Sequence, residues 1–169
     1  LHLCDRNLEE IYPDKITNTN NLLLEVLLAA KYEGESIRTQ YDQDKDKYQP
    51  GLCTALARSF ADIGDIIRGK DLFLGHQQRK RKLEENLKQM FENIQSTIHQ
   101  LNGLSLDEVR EYWWERNRQQ VWNAITCGAP SDAQYFRSTC SSKGGNYEKC
   151  HCIGGDVLTN FDYVPQYLR

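Results

Sequence analysis

Residues 105–126 read SLDEVREYWWERNRQQVWNAIT, and this stretch decides the fold class. Ser105 and Glu108 have the spacing of a capping box, in which the serine hydroxyl accepts a hydrogen bond from a backbone amide and the glutamate reaches back to the cap amide. A helix is therefore predicted to begin here and to continue to about Thr126. Its predicted inward side chains are Val109, Trp113, Val121 and Ile125, with Tyr112, Trp114 and Trp122 widening the same face.

All three tryptophans of the chain lie in this one stretch. Tryptophan buries a large apolar area, and its indole N–H requires a hydrogen-bond acceptor when it is buried. We interpret the tryptophans as core residues that pack against the preceding helices, rather than as a platform on which a carbohydrate would stack.

Three earlier segments also have helical periodicity. Residues 21–41 carry apolar side chains nearly all round, which predicts a buried helix. In the next two segments apolar residues recur every three or four positions, at Leu52, Leu56, Phe60, Ile63 and Ile67, and then at Leu83, Leu87, Met90, Ile94, Ile98 and Leu101. Gly69 and Gly103 are predicted to end these helices, and Gly64 predicts a close approach to a neighbour. The predicted fold class is all-α, a helical bundle of long amphipathic helices with disulfide-braced loops.

Composition limits the classes of function. The chain has 169 residues, enough for one domain or a large piece of one, and a formal net charge of −3. This balance argues against attraction of the whole surface to nucleic acid or anionic lipid, so any polyanion must be bound by a local patch. No apolar run approaches the roughly 18 to 20 residues that a membrane span requires.

The six cysteines are the candidates for disulfide bonds: Cys4, Cys53, Cys127, Cys140, Cys150 and Cys152. Their even number favours an oxidising compartment. A zinc site is disfavoured because Cys150 and Cys152 have one residue between them, where zinc motifs usually place two or more. These two are also too close to bridge each other easily, so they are predicted to pair most simply with Cys127 and Cys140. Cys4 with Cys53 remains by elimination, unless Cys4 has a partner outside the chain.

We find no pattern typical of an enzyme, a metal site or a cofactor site. The histidines lie in unrelated contexts, and the nucleophile-elbow, zinc-protease and phosphate-loop motifs are absent from the sequence. Two carboxylate pairs, Glu84–Glu85 and Asp107–Glu108, are predicted to lie on solvent faces of their helices. No catalytic residue and no cofactor are therefore predicted.

The strongest charge feature is the basic stripe Arg79, Lys80, Arg81 and Lys82. Between residues 58 and 82, seven Lys and Arg residues stand against three Asp residues. Sulfated glycans and phosphates suit such a stripe, because Arg and Lys exchange counterions with a dense polyanion. The four residues are our candidate glycan-binding site. The alternative is a solvated helix start that Glu84, Glu85 and Glu92 partly neutralise, and the sequence favours neither.

Three stretches resemble a known family: ARSFADIGDIIRGKDLF at 57–73, REYWW at 110–114 followed by VWNAITC at 121–127, and FDYVPQYLR at 161–169. In this order they are similar to the Duffy-binding-like domain, alpha class, which heads the variant erythrocyte membrane adhesins of malaria parasites. Residues 1–51 fit the same pattern more loosely. The resemblance implies three pieces, namely the latter part of a first subdomain at 1–51, a helical second subdomain at 52–160 with a cysteine-rich loop at 127–160, and the truncated start of a third at 161–169.

The resemblance also implies a function. Members are adhesion domains on the surface of the infected red cell that bind host receptors, and some bind uninfected cells through heparan-sulfate-like glycans or blood-group sugars, which is called rosetting. It implies antigenic variation, contact with antibodies, and a membrane anchor only through a region absent from this chain. Because the shared motifs are architectural, they identify no receptor-binding residue. The alternative is a structural scaffold that displays variable loops while neighbouring domains bind the receptor.

Overall fold

The computed structural model describes Pro13 and residues 18–44, 51–71, 78–129, 150–151, 157 and 159–169. Within these ranges the helices are α1 (Thr19–Gln43), α2 (Leu52–Arg68), α3 (Gln78–Thr97) and α4 (Leu106–Ile125), with 3-10 turns at His99–Leu101, Phe161–Tyr163 and Gln166–Leu168. The described ranges hold no strand, only an isolated antiparallel bridge between His151 and Val157. The predicted all-α class is confirmed.

The ends of the helices follow local sequence signals. Both halves of the capping box form, since the amide of Glu108 donates to Ser105 Oγ at 3.2 Å and the amide of Ser105 donates to Glu108 Oε1 at 3.3 Å. Gly69 ends α2 in the left-handed conformation, with φ of 72°. These two predictions are confirmed.

Helix α3 ends earlier than its apolar periodicity predicted. The hydroxyls of Ser96 and Thr97 donate to the carbonyl of Asn93 at 2.9 and 2.8 Å, a local bond that competes with helix continuation. Ile98 is extended, and Leu101 lies in the 3-10 turn that follows. The prediction of one helix through Leu101 was therefore wrong over its last turn.

The core forms where α1, α2 and α3 pack on α4. The side chain of Phe60 lies between two indoles, with ring centroids 5.1 Å from Trp114 and 5.2 Å from Trp122. The largest fully buried side chains are Trp114, Trp122, Arg110, Phe60, Phe91, Leu22, Leu56, Ile66, Ile67, Leu83, Leu87 and Met90. The interpretation of the tryptophans as core residues is confirmed.

Glycines allow two of the closest approaches in this core. A Cβ atom on Gly34 would lie 2.0 Å from the carbonyl oxygen of Ile125, so α1 and α4 could not pack as they do with a larger residue. A Cβ atom on Gly64 would lie 2.8 Å from the ring of Trp114, which is the close approach that the sequence predicted for this glycine.

Helix α1 is buried on one face only. Its buried positions include Leu22, Val26 and Ile37, whereas Leu24 is 60% exposed and Tyr32 is 49% exposed. The prediction of a buried helix is confirmed for one face and wrong for the other, because the three other described helices cover only one of its sides.

The disulfide pairing differs from the prediction. Cys53 at the start of α2 bonds to Cys150, with their Cα atoms 5.5 Å apart. The pair joins residues 97 positions apart, and Trp122 Nε1 donates to the Cys150 carbonyl at 3.2 Å. The predicted pairing of Cys53 with Cys4, and of Cys150 with either Cys127 or Cys140, was therefore wrong, and Cys127 is exposed with a free thiol. Cys4, Cys140 and Cys152 lie outside the described residues, as does most of the segment 127–160 predicted to be a cysteine-rich loop.

Candidate functional site

The basic stripe Arg79–Lys82 lies in the first turns of α3. Arg81 and Lys82 are exposed, so their charges are available to a ligand. Lys80 is only 26% exposed in its side chain, and its Nζ lies 3.9 Å from a carboxylate oxygen of Asp71. The side chain of Arg79 lies outside the described part of the chain. The glycan-binding role of these four residues stays a prediction.

The other cations of the segment do not extend the stripe into one surface. Arg68 is buried and pairs with Asp65 at 3.2 Å. Lys70 forms an ion pair with Glu111. Arg58 is exposed and forms no ion pair with a described carboxylate. The charge excess counted along the sequence is therefore divided between the core and the surface.

Glu84 has a structural role that the sequence did not predict. Its two carboxylate oxygens accept hydrogen bonds from Arg110 at 2.7 and 3.1 Å. Arg110, which is buried, also donates to the carbonyls of Ile67 and Ile66 at 2.6 and 3.0 Å. It thus satisfies the C-terminal carbonyls of α2, where a positive charge is favourable, and ties α2, α3 and α4 together. The prediction that Glu84 faces solvent was wrong, whereas Glu85, Asp107 and Glu108 are exposed as predicted.

A cluster of acidic residues and arginines holds the segment 159–169 against α2 and α4. The fully buried carboxylate of Asp162 accepts two hydrogen bonds from Arg118, at 2.7 and 2.8 Å, and one from the indole of Trp114 at 2.9 Å. Arg118 also donates to the carbonyl of Thr159 at 2.9 Å, and Arg68 donates to the carbonyl of Asp162. The buried charge of Asp162 is therefore paired and hydrogen-bonded, as such a charge must be.

Arg169 makes the second half of the cluster. It donates to the carbonyls of Phe161 and Val164 at 3.1 and 2.9 Å, and its guanidinium pairs with Asp62 at 3.1 Å and with Asp65. The pKa of Asp62 is raised to about 6, chiefly by burial; the Arg169 guanidinium opposes the rise and the neighbouring Asp65 carboxylate adds to it. Burial also raises the pKa of Asp65, against the hydrogen bond from Arg169.

The half-exposed side chain of Tyr163 covers the cluster on its solvent side. The guanidinium of Arg118 lies 4.9 Å from its ring centroid, and that of Arg68 lies 5.6 Å away. Burial raises the pKa of the Tyr163 hydroxyl, and the Arg118 charge opposes that shift. Each charged group has a structural partner, so the cluster positions a segment of chain and presents no activated nucleophile or base.

Sequence reasoning missed the roles of Arg118, Asp162 and Arg169 in this cluster, although a signal was present. Arg110, Trp114, Arg118 and Trp122 are four residues apart along α4, so the two arginines share a helix face with two tryptophans that were predicted to be buried. An arginine on a buried face requires a carboxylate or several carbonyls as partners. Only the fold shows that Asp162 and Glu84 supply them.

The described residues contain no group of three or more side chains that could hold a metal ion. None of the helices in the described ranges is both long enough and apolar enough to cross a membrane.

Comparison with known proteins identifies similar domains. The family description that matches residues 1–169 is the Duffy binding domain. A solved PfEMP1 IT4var13 DBLbeta domain bound to ICAM-1 is 31% identical, with a TM-score of 0.71 over 99% of this chain and 40% of the other. The DBLb domain of a second PfEMP1, bound to human ICAM-1, is 34% identical, with a TM-score of 0.59 over 85% of this chain and 29% of the other. No curated protein gave a significant match. The matches cover 40% and 29% of the two solved relatives, so this chain spans well under half the length of either.

Proposed function

The chain belongs to the Duffy binding domain family, and on that premise we propose that it is a host-cell adhesion domain of a variant surface antigen displayed on the outer face of the infected red cell. The observation that carries the proposal is the similarity, over 99% of the chain, to a PfEMP1 domain that was solved in complex with ICAM-1. A host cell-surface receptor is accordingly the proposed partner, and no enzymatic role is proposed.

The internal construction supports an adhesive role. Buried arginine pairs and the Cys53–Cys150 disulfide hold the chain segments that follow α4 against the helices. A surface that is held rigid before binding loses less conformational entropy when it contacts a receptor. The covalent and charged ties therefore suit a body that presents a preformed surface.

Receptor binding is tested with the purified chain immobilised on a sensor. Human ICAM-1 and a panel of other host receptors are passed over it, and the same chain, reduced and alkylated, serves as the control. We expect saturable binding of at least one receptor that is lost when the Cys53–Cys150 bond is removed. If the folded, oxidised chain binds no receptor on the panel, the adhesion proposal fails for this part of the domain.

A second proposal concerns sulfated glycans. Arg81 and Lys82 are exposed on the first turns of α3, which supports their use as part of a heparan-sulfate-like binding site together with Arg79 and Lys80. The variant in which all four are changed to Glu should elute from heparin at lower salt and show a weaker salt dependence. Glutamate near a helix N-terminus is favourable, so α3 should persist in this variant. Equal retention of both proteins would refute the proposal.

The scaffold alternative has its own supporting observations. Lys80 faces Asp71 and Arg68 is buried, so part of the local positive charge is neutralised within the domain. In that case neighbouring regions bind the receptor and this chain displays variable loops to antibodies. Failure of both the receptor panel and the heparin measurement would favour it.

The alpha class and the subdomain boundaries stay predictions. The alpha class rests on the sequence stretches quoted above, whereas the two solved relatives are beta-class domains by name. The division at residues 51 and 160 into subdomains also stays a prediction, and α1, which precedes the first boundary, packs in one core with α2 and α4.

A further inference from the structure

A cavity of about 520 Å³ lies between α1, α3 and α4, away from the acidic–arginine cluster. Its volume falls within the roughly 300–1,000 Å³ range of pockets that hold small organic molecules. Leu23, Ile94 and Trp113 contribute apolar wall, and Asn20, Tyr112 and Arg116 contribute polar groups. An apolar interior with a few polar groups is the usual composition of a ligand site.

The charge of the lining differs from that of the whole chain. Among the described residues that line the cavity, Arg116 is the one charged residue, and none of them is a carboxylate. The chain as a whole carries a net charge of −3. Arg116 is exposed, so its guanidinium, which presents several donors in a fork that matches a carboxylate, is accessible at this wall.

A buried donor at the same wall lacks an acceptor. Trp113 is 4% exposed, and its Nε1 has no hydrogen-bond partner among the described residues. The ring packs edge-on against Phe91, with centroids 5.9 Å apart, and so holds its position in the wall. A buried N–H without an acceptor is unfavourable, but Nε1 itself has almost no accessible surface, so Trp113 contributes its ring to the apolar wall and no hydrogen bond to a ligand.

We propose that this cavity binds an organic carboxylate that has an apolar body, such as a small aromatic or aliphatic acid or the C-terminal residue of a peptide. Arg116 pairs with the carboxylate, while Leu23 and Ile94 contact the apolar body. The site does not depend on receptor adhesion and can be tested without a receptor.

Calorimetric titration with N-acetyl-phenylalanine, 3-phenylpropanoate and N-acetyl-phenylalaninamide tests the proposal. We expect binding of an acid and at least tenfold weaker binding of the amide, because hydrogen bonds to charged groups contribute more than neutral ones. Binding of N-acetyl-phenylalanine alone would identify a peptide terminus as the source of the carboxylate, and equal binding of 3-phenylpropanoate would identify a free acid. If neither acid binds, or if the amide binds as tightly as the acid, the proposal is overturned.

Two variants locate the binding. Arg116→Gln should weaken binding of the acid at least tenfold, whereas Arg58→Gln, at an exposed position on α2 that does not line the cavity, should not change it. Ile98→Trp fills the cavity from its wall and should abolish binding, with helical circular dichroism as the measure of folding. Because Arg116 is exposed, its variant remains informative even if the filled variant fails to fold. Unchanged binding in Arg116→Gln would place the acid elsewhere and overturn the assignment.

Discussion

Arg118 donates two hydrogen bonds, of 2.7 and 2.8 Å, to the fully buried carboxylate of Asp162, which lies 44 residues further along the chain. The pair connects α4 to the segment 159–169, and the indole of Trp114 completes the coordination of the same carboxylate. Because one partner has no contact with solvent, its charge depends on the other for stabilisation.

Replacing Arg118 by Ala should lower the free energy of unfolding by about 3–5 kcal/mol, since it leaves a buried carboxylate without its counterion. Arg116→Ala is the matched control, because Arg116 lies on the same helix but is exposed, and its effect should stay within about 0.5 kcal/mol. Urea denaturation measures both changes. Equal losses in the two variants would contradict the importance of the Arg118–Asp162 pair.

Gly34→Ala should destabilise the domain by about 3 kcal/mol, through overpacking between α1 and α4. The new Cβ would lie 2.0 Å from the carbonyl oxygen of Ile125, and a backbone atom cannot move aside as a flexible side chain can. Gly128→Ala is the control, since its Cβ would meet only Arg38 at an ordinary contact distance of 3.8 Å. A thermal melt of Gly34→Ala that matches the unsubstituted protein would show that the helices can separate at little cost.

Cys53→Ser should lower the free energy of unfolding by about 2–5 kcal/mol, because the disulfide restricts a long loop in the unfolded chain. Cys150→Ser should have the same effect, and the double variant should lose no more than either alone. Cys127→Ser is the control at an exposed free thiol and should be neutral. Denaturation with and without reductant gives the comparison, and a large loss from Cys127→Ser would contradict the observed pairing.

Asp62 should make stability depend on pH in the direction opposite to that of an ordinary paired carboxylate. Its pKa of about 6 in the folded state lies above the usual 3.8, so between these values the folded state binds a proton that the unfolded state lacks. Its contribution to stability is therefore greatest at low pH and falls as the pH rises through 6. Relative to the unsubstituted protein, Asp62→Asn should be more stable at about pH 7.5 than at about pH 4.5.

The measurement for Asp62 is the difference in unfolding free energy between the variant and the unsubstituted protein at the two pH values. Asp107→Asn, at an exposed position in the first turn of α4, is the control. A difference that is the same at both pH values would mean that burial does not shift the Asp62 carboxyl in the folded state.

Most of the helices could be predicted, because their signals are local. The apolar stripe through Leu56 and Phe60 marked the buried face of α2, and the Ser105–Glu108 box marked the start of α4. The break at Ile98 was missed, since it depends on competition from the hydroxyls of Ser96 and Thr97 that apolar spacing does not reveal. Exposure of Leu24 was missed as well, because an apolar residue is buried only if another element covers it.

Candidate sites were predicted less well than helices. The basic stripe is easy to see in the sequence, but the contact of Lys80 with Asp71 partly neutralises it, and the burial of Arg68 keeps that cation from adding to it. The cavity beside Arg116 had no counterpart in the sequence, because its wall combines residues from three helices. The Cys53–Cys150 bond was likewise not predicted, because the spacing of cysteines along the sequence does not show which of them the fold brings together.

Periodicity, caps and three long stretches of similarity were enough to establish the helical class, the tryptophan core and membership of the Duffy binding domain family. These properties depend on residues that lie within a few helical turns of one another along the chain. The partners of Arg110, Arg118, Arg169 and Cys53 were decided only by the packing of helices and segments that are distant along the chain. A buried charge or thiol takes whichever partner the folded backbone brings within bonding distance, and that distance is a property of the assembled tertiary structure.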